Sequence, residues 1–506
     1  MPPFQRKNAW NNNGTFDNPD LLWYAKGVGV MQSRQISDPT SWWFYGAIHG
    51  QYIVDNGDGP PPPDYPNWAK IPAPPNVPVT PLPTQALIKQ YWDQCQHAGW
   101  FFPPWHRGYL YALEKILREI IQGLGCNYEW ALPYWNYFGA GNAFQIPPAF
   151  TQTTLPDNSP NPLLVEARYG PNGDGNIFVQ IPPVSQACQQ DTDYTDSYGG
   201  GVTGFDHFDN STGDLENNPH NFVHGMVGGN SNISGLGGLM GDPGLAALDP
   251  IFYLHHCNID RLWAAWNNAG NTNPTDPNWL NGPTASGDRK FYMPNPDGSA
   301  WQYTPSDVNT IAQLNYTYDD LSMPAIAALT RNTLRLRNLA PLTANIKPVK
   351  PMASNTRSEL VGANSAPLSL TASGAHTTVK LDSAGWNAVT NSLVGASATS
   401  LPDEVYLVLE GVKGNADANM YTVSVNHHYA GHISLFGLRI ASNKDSKHGG
   451  AGLTIKLDIS KIVDQLHLSN AIQSNSLDVL IQPSGPLAKG GECVVDRVSI
   501  YRKAQQ

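Results

Sequence analysis

Two periodicities divide the chain. Over roughly the first two-thirds, apolar residues recur at helical spacing between long polar loops. Thr84 precedes "QALIKQYWDQCQH", where Leu87, Ile88, Tyr91, Trp92 and Cys95 fall on one face, so a helix capped by Thr84 is expected. The chain breaks at "GWFFPPW" and restarts as "HRGYLYALEKILREIIQGLG", whose Leu110, Leu113, Leu117, Ile120 and Ile121 form a core-facing stripe ending at glycines. Asp249 and Pro250 read as an N-cap followed by proline at the first helical position, opening "IFYLHHCNIDRLWAAWNNAG", which stops at Gly270. Between Gly59 and Thr84 eleven prolines predict an extended surface loop. Glycine- and asparagine-rich loops occupy about 140–215, and residues 336–352, around "NLAPLTANIKPVKPM", read as a linker.

Beyond the linker the period becomes two. "EVYLVLEGV", "MYTVSVN", "LTIKLDI", "LDVLIQP" and "DRVSIYRK" alternate apolar and polar residues, as half-buried strands do. The expected architecture is a mainly α domain over 1–335 and, after the linker, an all-β domain over 353–506, a β-sandwich or a barrel.

Composition narrows the setting. A chain of 506 residues can bury more than one core. Its 41% hydrophobic and 14% charged residues include no apolar run near the ~20 residues of a membrane span, so no membrane partner is expected. A net charge of −11 argues against a nucleic-acid partner, because phosphate contacts need clustered lysine and arginine. The start, "MPPFQRKNAWNNNG", lacks the apolar segment of a secretory signal. Five scattered cysteines imply no disulfide framework, and a cytoplasmic location with reduced thiols is expected. Assembly into a homo-oligomer is compatible with all of this.

The histidines carry the chemistry. His220 and His224 are four apart, so on a helix they share a face. His97 and His106 flank the break between two helices and can point into one space. His49 lies in the aromatic segment "SWWFYGAIHGQY", where a satisfied core histidine is the bland alternative. His255 and His256 are about 100° apart on a helix and do not both face one metal. Four residues either side of His255 stand Ile251 and Ile259; around His256 stand Phe252 and Asp260. His256 is therefore assigned to the metal and His255 to packing. Two sets of three result: His49, His97, His106 and His220, His224, His256. Ligation by imidazole alone suits copper or zinc. A zinc peptidase would place a glutamate inside the helical pair, where this chain has Asn221, Phe222 and Val223. Two three-coordinate sites with open positions suit a diatomic ligand bridging two metals.

"HAGWFFPPWHRGYLYALEKIL" and "ENNPHNFVHGMVGG…LDPIFYLHHCNIDRLW" resemble the copper A and copper B signatures of the tyrosinase and polyphenol oxidase family of type-3 copper proteins. The resemblance covers about residues 1–335 and ends at "YTYDDL", similar to the tyrosine motif closing the family's core. It implies a four-helix bundle holding two copper ions, with O2 as co-substrate and small phenols as substrates. By matching position it implies that His49, His97 and His106 bind copper A, and that His220, His224 and His256 bind copper B. Phe252 would stack over the site, and Arg107, Glu114, Asp249 and Asp260 would support it. Cys95 matches a cysteine that in some members forms a thioether to the histidine at His97; the alternative is an ordinary buried thiol.

Phenols ionise near pH 10, so a base is needed to form the phenolate. Glu216 matches the family's water-holding glutamate and Asn221 the asparagine that orients that water. Both favour monophenol hydroxylation as well as catechol oxidation. The alternatives are a catechol or o-aminophenol oxidase with weak monophenolase activity and, more remotely, a haemocyanin-like O2 carrier. Gly225, after His224, and Pro243, where some members place a bulky gate, leave the approach open. The strands around "MYTVSVN" resemble the C-terminal domain of plant polyphenol oxidases, which keeps those enzymes latent. By that likeness "VNHHYAGHISLFG", residues 425–437, would lie over the site. Tyr429, Leu435 or Phe436 would be its plug, and His427, His428 and His432 would open it on acidification.

Overall fold

A computed structural model describes residues 3–50, 81–195, 197–201, 212–282, 290–323, 335–336, 338–339, 358–396, 400–444, 450–472, 475–491 and 493–505. The proline-rich segment up to residue 80 and most of the expected linker lie outside them.

The first helix, α1 (Pro19–Ser33), begins where the Asn18 side chain accepts from the Asp20 amide, with proline at the first helical position. α2 (Trp42–His49) is capped by Ser41 and buried along its whole length. Thr84 caps α3 as expected, accepting from the Leu87 amide, but α3 spans only Gln85–Tyr91, so Cys95 and His97 stand on the loop after it. α4 (Phe102–Gly123) starts inside the expected break, because Pro103 and Pro104 sit in its first turn, where a missing N–H leaves no carbonyl unpaired. His220 belongs to a single wide turn, Glu216–Asn221, and α5 proper is the short helix Phe222–Gly228. The expected single helix under His220 and His224 is therefore two joined pieces, interrupted at Asn218 by extended dihedrals (φ −147°, ψ 113°). α6 (Ile251–Asn268) opens as the sequence suggests, with the Asp249 carboxylate accepting from the Ile251 amide, and ends just before Gly270.

Small sheets staple this helical core. β1 (Phe4–Arg6) pairs parallel with β4 (Tyr316–Tyr318), and β2 (Phe291–Pro294) forms a hairpin with β3 (Ala300–Tyr303). Tyr303 lies so close to α4 that a Cβ on Gly108 would stand 2.2 Å from its ring, and its hydroxyl donates to the Trp105 carbonyl.

The C-terminal strands are β5 (Glu359–Ala363), β6 (Leu368–Leu370), β7 (Ala375–Leu381), β8 (Glu404–Gly414), β9 (Met420–Val425), β10 (His428–Ser434), β11 (Leu453–Asp458), β12 (Ser476–Pro483) and β13 (Cys493–Lys503). They form one nine-stranded sheet in the order β10-β9-β12-β7-β5-β13-β8-β11, with β6 added beside β13. Its two ends approach each other: Leu457 of β11 is 3.2 Å from where a Cβ on Gly431 of β10 would stand. The expected β-sandwich is thus a single, nearly closed sheet. The domain is also not all-β, since helices at Ser383–Val394, Leu438–Ser442 and Ser460–Leu468 join it, contributing Trp386, Val389, Leu438, Ile462 and Val463 among others to its own core.

Candidate metal centre

The five histidine-bearing segments meet in the middle of the helical core. His49 is the last residue of α2, His97 stands on the α3–α4 loop and His106 in the first turns of α4. Their ring centroids lie 5.4–5.7 Å apart. Cys95 joins them, its Sγ 3.4 Å from His97 Nδ1 and 3.3 Å from His106 Nε2. The second set is tighter. His256 Nε2 is 3.3 Å from His220 Nε2 and 3.2 Å from His224 Nε2. The two sets touch through His106 and His256, whose rings stack at 4.5 Å.

His255 is not remote. One of its ring nitrogens lies within 4.8 Å of ligand atoms of His220, His224 and His256, so four imidazoles gather there. Its ring stacks on His220 at 5.4 Å and its Nδ1 faces the Tyr137 hydroxyl at 3.4 Å. His256 alone brings its Nε2 directly against both partners.

The electrostatics suit a cation. Burial holds His106, His220, His224 and His256 well below the usual histidine range and pulls His49 down to about 4, so these rings are neutral near pH 7. In four of them Nδ1 meets an acceptor: the carbonyls of Pro243, Phe102 and Met240 for His49, His106 and His224, and Asn221 Oδ1 for His220. That fixes the proton on Nδ1 and leaves the Nε2 lone pair toward the centre. His49 Nε2 has no hydrogen-bond partner among the described residues. At 3.2–3.3 Å His256 Nε2 can give a proton to only one of His220 and His224, whose Nε2 atoms are both acceptors, so a cation at this point satisfies lone pairs that a proton would leave facing each other. The donor set therefore fits two metal ions.

Charged groups fix the helices behind the rings. Arg107, beside His106, donates to Asp260, one turn beyond His256, at 2.6 Å; Arg6 bridges Asp260 and Glu114. Tyr316 and Tyr318 donate to the same Asp260 oxygen, and Arg168 makes a bidentate pair with Asp249. Asp260 and Glu114 stay well ionised: burial opposes this, and the arginines outweigh it.

Glu216 is buried and accepts from the Ala98 amide at 2.8 and 3.0 Å, which ties the start of the second set to the loop of His97. Burial pushes its carboxyl up to about 8, against the pull of the Ala98 and Gly99 amides. Asn221 points its Oδ1 at His220. Phe252 stacks on His256 at 4.0 Å.

The approach is not open. Met420 of β9 covers Gly225, where a Cβ would meet its Sδ at 2.9 Å, and Phe436 stacks on His224 at 4.1 Å and 21°. Both belong to the apolar core of the helical part although they come from the β domain. Ser434 donates to the Asn221 carbonyl, and Arg439 clamps Asp242 of the core at 2.6 Å and Asp417 at 3.3 Å. Of the three plug candidates, Leu435 lies in the β domain's own core and Tyr429 is exposed. His427 and His428 are exposed at the far end of the β9–β10 turn, with only His432 half-buried nearer the core, against Phe222. Arg6, Arg168, Asp242, Met420 and Arg439 gave no sequence signal, because each acts through a partner far away in the chain.

The chain is similar to the Tyrosinase HcTyr1 of Hahella sp. (strain CCB-MM4), 32% identical over 500 residues, covering 95% of this chain and 96% of that protein. The chain belongs to the tyrosinase family. It matches the common central domain of tyrosinase over residues 39–177 and 176–269, and a domain of unknown function over 357–503. The chloroplastic polyphenol oxidase of Prunus armeniaca, latent form, is 32% identical over 249 residues, 45% of this chain and 39% of that protein. The structure of latent apple tyrosinase shares the fold, with a TM-score of 0.60 at 21% identity over 99% of this chain and 97% of that one. The tyrosinase family is built on a type-3 dicopper centre, and the two histidine clusters fit its two sites.

Proposed function

We propose that the protein is a tyrosinase that hydroxylates monophenols to o-diphenols and oxidises o-diphenols to o-quinones with O2. In this reading the catalytic unit is residues 1–335, His49, His97 and His106 hold copper A, and His220, His224 and His256 hold copper B. The observation that carries it is the convergence of buried imidazoles into two metal-competent clusters, with His256 Nε2 drawn to 3.2–3.3 Å of the Nε2 atoms of His220 and His224. The preference for His256 over His255 rests on its direct Nε2 approaches. When bound, the metals supply the O2 chemistry; the protein's own part is to orient the ring and take the phenolic proton. Glu216 is the acceptor, a carboxyl whose burial leaves it able to exchange a proton near neutrality. Asn221 holds the His220 ring through Nδ1 and orients the water shared with Glu216. The approach of Cys95 Sγ to the His97 ring at 3.4 Å supports a thioether between them, formed with loss of two electrons and two protons to O2.

Phe436 occupies the place against His224 that a phenol ring would take, so the intact chain is latent in this reading. No disulfide joins any of its five cysteines, which supports a reducing, cytoplasmic setting. O2 uptake by the copper-loaded, full-length Phe436→Ala protein, with tyrosine and with L-DOPA, tests the function. Uptake on both is expected. Adding Glu216→Gln should slow tyrosine roughly 100-fold, the scale of one general base, and L-DOPA much less, since a catechol ionises more readily. Uptake on L-DOPA alone would make the protein a catechol oxidase.

A further inference from the structure

The six imidazoles of the centre are not held alike. Nδ1 meets an oxygen at 2.8–2.9 Å in His49, His106, His220 and His224, and faces Cys95 Sγ at 3.4 Å in His97. His256 Nδ1 has no hydrogen-bond partner among the described residues, although the ring is only 1% exposed. Parallel ring contacts hold it instead: Phe252 at 4.0 Å and 30°, and His106 at 4.5 Å and 19°. Phe252, one turn earlier on α6, also stands edge-on to His49 at 4.9 Å and meets His224 at 5.7 Å, so it touches ligands of both sets.

An acceptor on Nδ1 fixes the tautomer and orientation of a ligating imidazole and makes Nε2 a better donor. His256 lacks that support, so its orientation depends on stacking. We propose that Phe252 is the positioning residue of His256 and that the metal of the His220–His224–His256 set is the more readily released of the two. This rests on the reading that both sets hold copper. Phe252→Leu keeps an apolar side chain but removes the ring, and loosens one site selectively. Phe252→Tyr keeps the ring and restores the wild-type behaviour.

The test follows copper loss from full-length, copper(II)-loaded protein under excess EDTA, by metal analysis and electron paramagnetic resonance. A coupled copper(II) pair is silent in resonance, and a lone copper(II) is visible. Wild type should lose copper in two phases; in protein freed of copper(II)–EDTA by gel filtration at each time point, a signal should rise in the first phase and fade in the second. The intermediate spectrum should match that of one-copper His256→Ala protein. Phe252→Leu should speed the first phase roughly tenfold, a typical effect of removing support behind a ligand, and leave the second unchanged. Release of both coppers together in wild type, or an intermediate matching His49→Ala protein, overturns the inference with no variant at Phe252 required. Equal acceleration of both phases in Phe252→Leu overturns it as well. Uptake of fewer than two coppers per wild-type chain overturns the dicopper reading, and the inference with it.

Discussion

The helical core and the β domain reach the same cavity with opposite contributions. The core brings polarity: six imidazoles, a buried carboxyl on the Ala98 amide and, behind them, an arginine–carboxylate lattice around Asp260. The β domain brings Met420 and Phe436, which exchange no protons and bind no metal through an imidazole. It has a separate apolar core of its own, built on residues such as Val361, Leu407, Val423 and Val498. In the latent reading proposed above, reactivity is assembled on one body and access is governed by another that has its own apolar core. Substitutions on the two sides should therefore act with opposite sign.

The largest effect belongs to the core. His256→Ala should leave one copper per chain and remove phenol oxidation, whereas His255→Ala should keep two coppers. Metal analysis of both proteins decides it, and loss of a copper from His255→Ala reverses the choice between the neighbours. The contrary sign comes from the β domain. Phe436→Ala in the intact chain should raise neutral-pH activity roughly tenfold, the scale of one lost aromatic contact, with copper content unchanged. An unaltered or lower rate would leave the two bodies with no opposition of sign.

The smallest effect is in pH. Burial lowers His432 to about 4, against Thr422, Ser484 and Phe222. Displaced into water it would return to its usual value near 6.5, so between these values the displaced form binds the extra proton. Acidification from about 6.5 to 4 therefore favours opening. Asp417 opposes it: burial holds it up to about 6 in the closed form despite Arg439, and exposure would return it toward 4, so acid favours closure there. Activity of the intact protein relative to Phe436→Ala protein at the same pH, which cancels the titration of Glu216, should rise only a few-fold over this range, less with His432→Gln and more with Asp417→Asn. Identical pH profiles for all three would remove both groups from the opening.

The sequence made the site legible where chemistry is local. Pairs such as His220/His224 and His255/His256, the Asp249–Pro250 start and the stripe from Leu110 to Ile121 are written within a few residues. Five strands were legible because apolar residues recur along them, close to every second position apart from the fully buried run Val405–Leu409 of β8. β7, "AHTTVKL", was not, since only Val379 and Leu381 face the core, and β10, "HYAGHIS", is interrupted by a bulge between Tyr429 and Gly431. The closure of the sheet, the Arg6–Glu114–Asp260 lattice and the Arg439 clamp are long-range pairings, which leave no periodic trace. The turn at Glu216–Asn221 departs from a helix because Pro219 lacks an N–H and Asn218 is extended, which spacing alone did not show.

Met420 and Ser434 are cross-strand partners at the end of the β9–β10 ladder, and both also grip the core, one over Gly225 and one on the Asn221 carbonyl. Phe436 follows two residues later, before Gly437 (φ +88°) turns the chain. The plug therefore has no hinge of its own. It can withdraw only if a hydrogen-bonded ladder shears or the whole barrel lifts, so the molecule works less like a door than like a fuse. Its threshold is the cohesion of the β domain, and warming should switch catalysis on where that domain loosens while the histidine-bearing helices still hold.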